Sequence, residues 1–182
     1  MLFPACVLLL LASVPLSGGR LAALADLRLR AAWLLGAALC VQVAVISLLP
    51  GGAPELHRGL HLASYGLAGA FLAVNRRVRG LFAIGLGGAC NLAAIAANGG
   101  VMPMSRAAAR AAGISGSEGF SNSEVLRDPA LAPLGDVLAV PGMAFSPGDV
   151  LILAGAAALL HTACGTRLGL GLRPRAARAA GG

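Results

Sequence analysis

Five apolar runs, separated by short polar gaps and one long one, organise this chain. They cover residues 2–17, 31–49, 56–74, 80–97 and 148–165. Each comes close to the ~17–25 apolar residues that a helix needs to cross a bilayer. The pattern predicts an all-α, polytopic membrane helix bundle of about five transmembrane helices, with a long extracytoplasmic loop of short helices. It divides the chain into four spans over 1–97, an outer loop over 98–147, a fifth span over 148–166 and a basic tail over 167–182. Pro4 and Pro15 lie near the two ends of the first run, which lacks a basic segment before it and an A-x-A cleavage pattern after it. It therefore reads as a retained segment rather than a signal peptide.

The polar gaps carry fourteen arginines and no lysine. With five spans, Arg20, Arg28, Arg30, Arg76, Arg77, Arg79, Arg167, Arg173, Arg175 and Arg178 fall on one side. Arg58, Arg106, Arg110 and Arg127 fall on the other, with six of the seven acids. The positive-inside rule then puts the N-terminus outside and the tail in the cytoplasm; the all-arginine, Ala/Gly/Leu-rich composition has the look of a bacterial chain, so the expected location is a bacterial cytoplasmic membrane. On this reading Trp33 sits at the inner interface, and the inner arginines lie near anionic lipid headgroups.

Composition sharpens the same expectation. The chain is 58% hydrophobic and 12% charged, with a mean hydropathy of +0.83. The formal charge of +7 does not argue for nucleic acid, because the arginines are dispersed and aromatics make up only 4%. Cys6, Cys40, Cys90 and Cys164 each lie in an apolar run with no CxxC spacing, and read as small buried hydrophobes.

Residues 98–147 are too long for an ordinary connection. Ser105 followed by Arg106–Ala112 and Gly113 spells an N-cap, two helical turns and a C-terminal glycine. Pro129, Pro133 and Pro141 interrupt any longer helix around Asp136, and the stretch is expected to lie on the membrane surface or dip into it. Ser146-Pro147-Gly148-Asp149 spells a capping-box variant at the start of the last helix. Asn98-Gly99-Gly100 before Met102-Pro103 stops the fourth helix, or else forms a binding loop.

Chemistry is sparse. His57 and His61 share a helix face, but no third metal ligand accompanies them, and helix rise places His161 too deep to join them. No catalytic motif, metal set or cofactor site is predicted. Counted by helix rise, Gln42, Ser64, Tyr65 and Asn91 fall about 10–14 Å below the outer face, beneath the long loop. They form either interhelical hydrogen bonds or the polar floor of a pocket. With Asn98, Gly99, Gly100, Met102 and Asp136 they are the candidate ligand-binding residues; Ser105, Ser146 and Asp149 are the candidate caps.

The ordered segments Gly18-Gly19-Arg20-Leu21 through Leu27-Arg28-Leu29-Arg30, Ser64-Tyr65, Asn91 with Asn98-Gly99-Gly100-Val101-Met102-Pro103, Ser121-Asn122, Leu134-Gly135-Asp136-Val137 and Phe145-Ser146-Pro147-Gly148-Asp149-Val150-Leu151-Ile152 resemble, over nearly the whole chain, an uncharacterised bacterial membrane-protein family, domain of unknown function 5317. That resemblance implies no activity. Two function classes follow. One is a non-enzymatic protein that binds a small ligand, lipid or partner protein through the outer loop. The other is a membrane-embedded enzyme or small transporter for a lipid-soluble substrate.

Overall fold

The computed structural model describes residues 2–48, 54–114 and 123–168. Helices form where the apolar runs are: α1 (Leu2–Leu16), α2 (Ala32–Leu48), α3 (Pro54–Val74), α4 (Leu81–Ala97) and α6 (Pro147–Ala163). The short α5 (Arg106–Ala112) lies in the long connection. That connection also holds β1 (Met102–Pro103), β2 (Ser123–Glu124), β3 (Leu138–Val140) and β4 (Met143–Phe145). Two short 3-10 turns, Leu21–Asp26 and Ala132–Leu134, complete the described elements.

The membrane-bundle expectation is corrected at this point. Among the described residues, no helix is long and apolar enough to cross a membrane. Local stop signals end the helices early. Ser17 and Gly18 (φ 81°) close α1, Gly99 and Gly100 follow α4 with φ of 70° and 98°, and Gly165 (φ 65°) follows α6. A 17-residue helix is then ~26 Å long, against a hydrocarbon core of ~30 Å. The 21-residue α3 is longer, but its first turn and a half reads Pro-Glu-Leu-His-Arg. The transmembrane topology and the inner-membrane location fall with the spans. The all-α assignment is corrected as well, because the loop contains strands.

The helices associate as pairs, α2 on α3 and α4 on α6, with α1 against the C-terminal half of α6. Val14, Leu160 and Cys164 are buried there, with Leu10 and Leu24 packed against them. Burial drives the Cys164 thiol pKa upward, which leaves the thiol protonated and inert. Leu8, Leu9, Trp33, Leu39 and Phe82 face outward, so apolar burial alone does little to fix the arrangement.

Backbone contact does more. Gly80 and Gly87 lie seven residues apart at and within α4, and Gly148 and Gly155 repeat that spacing on the antiparallel α6. A Cβ on Gly80 would lie 2.1 Å from the Gly155 carbonyl oxygen, and one on Gly87 2.4 Å from that of Gly148. The helices therefore touch backbone to backbone at two levels, two helical turns apart. Any side chain there must push the helices apart. Gly80 is doubly constrained, since its φ of 88° also favours glycine.

In the loop, β1 pairs in parallel with β2, and Met104 bridges to Asp136. β3 and β4 form a hairpin closed by Pro141 and Gly142, the glycine at φ 84°. The Gly142 amide donates to the Ala112 carbonyl, which fastens the hairpin to α5.

Gly87→Ala should destabilise the protein by about 1–3 kcal/mol, the usual cost of overpacking. Gly88→Ala, where the added Cβ meets nothing within 4 Å, should stabilise it by about 0.5–1 kcal/mol. Denaturant melts of the two variants check this; equal effects would contradict the seam.

Candidate functional site

Three polar knots hold this region: two join the loop to the α4–α6 pair, and the third ties the loop to itself. The first is built on the start of α6. Ser146 is the N-cap, its Oγ accepting from the Asp149 amide at 3.0 Å while its own amide donates to Asp149 Oδ2 at 2.9 Å. Asn91 of α4 completes the knot. Its Nδ2 donates to Asp149 Oδ1 at 2.8 Å, and its Oδ1 accepts from Ser146 Oγ at 2.9 Å. One amide thus uses both its donor and its acceptor face to lock one helix onto the cap of another. Gly148 lies directly beneath, where a Cβ would fall 1.9 Å from Asn91 Oδ1.

The second knot is Asn98. Its Nδ2 donates to the Ala130 carbonyl at 2.7 Å, and its Oδ1 accepts from the Ala130 amide at 2.9 Å. A further bond from Nδ2 to the Ala94 carbonyl holds the side chain in place. This clamp adjoins Leu131, a non-glycine residue at φ 52°, a conformation that costs about 1–2 kcal/mol.

The third knot is Asp136, which is 5% exposed. Ser123 Oγ donates to Oδ2 at 2.6 Å. The Asp136 amide donates to the Pro103 carbonyl, and its carbonyl accepts from the Ser105 amide. Gly135 passes so near Pro103 that a Cβ would lie 2.2 Å from its oxygen. Burial raises the Asp136 pKa above 3.8; the Ser123 bond lowers it, and the negative charge of Asp149 adds to the rise.

The other candidate residues lie elsewhere. Ser64, fully buried, and Tyr65 are on α3, which packs chiefly on α2. Gln42 is on α2, and its side chain lies outside the described residues, as do those of His57 and His61. Ser121 and Asn122 also lie outside them. Gly99 and Gly100 are exposed turn residues, and Met102 is buried in the loop. Ser105 caps α5 by accepting from the Ala108 amide, and Gly113 ends that helix in the left-handed region.

A further polar cluster sits at the opposite end of α6. The buried His161 contacts Ser13 Oγ through Nε2 at 3.1 Å and Thr166 Oγ1 through Nδ1 at 3.0 Å, with Ser17 Oγ at 3.5 Å from Nδ1. Nearby, the buried Asn75 joins the loop before α2 to the end of α3. Its Oδ1 accepts from the Arg30 amide, and its Nδ2 donates to the carbonyls of Arg30 and Phe71. Sequence reasoning missed Asn75, Ser13, Ser17 and Thr166. The signal for Asn75 was an amide at the end of an apolar run, masked by the arginines that follow it. Among the described residues, no group of three or more His, Cys, Asp or Glu side chains could hold a metal ion.

Residues 26–161 match a family of unknown function (DUF5317). The chain belongs to this family. The DUF5317 match runs from the end of the first 3-10 turn to His161, so it takes in the seam and all three knots. No curated protein and no solved structure matches the chain.

Asn91→Leu removes both faces of the first knot and leaves Asp149 and Ser146 each short of a partner. It should lower stability by about 2–4 kcal/mol, since buried groups lose their hydrogen bonds. A loss below 0.5 kcal/mol in a denaturant melt, on the order of an ordinary surface substitution, would show that the knot carries no load.

Asp136 generates a pH prediction. Its folded pKa is raised, so its contribution to stability is present below the unfolded value and is lost as pH rises through the folded value. Asp136→Asn cannot ionise and keeps an acceptor for Ser123. The variant should match the wild type near pH 3 and gain on it as pH rises to 7. A stability difference independent of pH, measured by denaturant midpoints, would contradict the assignment.

Proposed function

We propose that this protein is a non-enzymatic binding protein that takes a small and largely apolar ligand through the connection between α4 and α6. The observation that supports this is a hollow of about 280 Å³ on the loop, walled by Pro103, Pro129, Pro133, Met104, Ala132 and Val137. Its size is near the lower end of small-molecule sites, and its lining has their apolar character. Two of its accessible walls, Pro129 and Pro133, are prolines, whose fixed φ gives rigid surfaces that lose little entropy on binding. The knots at Asn98 and Asp136 hold both sides of the hollow, since they fix Ala130, Pro103 and Ser105.

The polar groups around this hollow argue for binding over catalysis. Asp136 and Asp149 accept hydrogen bonds from Ser123, Asn91 and the Ser146 amide, and Asp149 is engaged in capping α6. Neither carboxylate lines the hollow, so neither is in reach of a ligand held there, as general acid–base work requires.

Native mass spectrometry of the purified full chain tests the proposal. The wild type should carry a co-purifying small molecule, and Ala132→Trp, which fills the hollow from an exposed position, should lose it. A wild-type spectrum with no bound mass, or an adduct that survives in the variant, contradicts the proposal.

A further inference from the structure

A second hollow, of about 420 Å³, opens at the other end of α6. It lies about 14 helical residues, or roughly 20 Å, from the first knot. Its floor is made of small residues: Gly80 at the start of α4, and Ala157 and Ala158 of α6. The seam creates the space, because Gly80 must approach Gly155 and Leu159 without a side chain. Leu168 forms one rim and Arg79 the other, both exposed. Thr162 and His161 complete the wall.

These polar groups have different roles. Both ring nitrogens of His161 face hydroxyls, Ser13 on one side and Thr166 on the other. The imidazole is thereby fixed as a wall rather than offered as a ligand group. Arg79 is held by its backbone in the turn between α3 and α4, where the Val78 amide donates to the Asn75 carbonyl at 2.8 Å and Gly80 is locked on α6. Its guanidinium is a fork of donors suited to a carboxylate. The surrounding segments, 75–81 and 161–168, contain Arg76, Arg77, Arg79 and Arg167 and no acid, so the local field favours an anion.

We propose that this hollow binds a small amphiphilic carboxylate, its charged end on Arg79 and Thr162 and its hydrocarbon body along Ala157, Ala158 and Leu168. A single guanidinium and one hydroxyl suit a monoanion, and the mostly apolar lining suits a molecule with a hydrocarbon body. The volume falls within the ~300–1,000 Å³ range of small-molecule sites.

Calorimetric titration of the full chain with octanoate, octanol and inorganic phosphate tests the proposal. Octanoate should bind about 10-fold or more tightly than either of the others, the difference that one charge-assisted hydrogen-bond pair supplies. Arg79→Gln should weaken octanoate by a similar factor, and Ala158→Trp should abolish its binding. Thermal melts should show both variants folded. Ala132→Trp, at the other hollow, should leave octanoate binding unchanged, which separates this site from the one on the loop. Octanoate and octanol binding alike, phosphate binding as tightly as octanoate, or an Arg79→Gln variant indistinguishable from wild type would each overturn it.

Discussion

The close approach of α4 and α6 is the constraint on which the rest of this structure depends. Two glycines on each side, seven residues apart, let the backbones touch at Gly80 with Gly155 and at Gly87 with Gly148. Seven residues are two turns of helix, so both contacts fall on one face and set the register of the pair. Dispersion between atoms in direct contact replaces the burial of large side chains, many of which point outward here.

The register determines what happens at each end of the pair. At the start of α6 it brings Asn91 over Gly148 and into the capping box, so that the same residues that begin the helix also tie it to α4. The loop then inherits a fixed frame. Asn98 grips Ala130, Asp136 latches Pro103 and Ser105, and the hollow walled by prolines lies between these anchors. At the far end the same contact leaves a floor of small residues between Arg79 and Leu168.

The sequence announced local features more clearly than global ones. The positions of the helices follow from runs of apolar residues. The caps at Ser105 and Ser146 follow from bonding within three residues, and those bonds are present. Span length was misread because the runs sit at the lower margin of what crosses a bilayer, where the loss of one or two residues at a helix end, or a polar first turn such as that of α3, decides the outcome. The short strands were invisible because two-residue pairings such as Met102–Pro103 with Ser123–Glu124 join distant segments and leave no periodicity. Asn91 was recognisable as polar and interior, but its partners, Ser146 and Asp149, are more than fifty residues away. The equal spacing of Gly80–Gly87 and Gly148–Gly155 was the one legible sign of the seam. It takes meaning only when the two helices are known to run antiparallel.

A double-mutant cycle between Asn91 and Asp149 tests most directly whether the first knot locks α4 onto the start of α6. Asn91→Ala, Asp149→Ala and the double variant would be compared by denaturant unfolding of the full chain. Residues in one hydrogen-bond network couple by about 0.5–3 kcal/mol. The account predicts a coupling of at least about 1 kcal/mol within that range, because either substitution alone already breaks the knot. Additive losses, with a coupling within about 0.3 kcal/mol of zero, would contradict it.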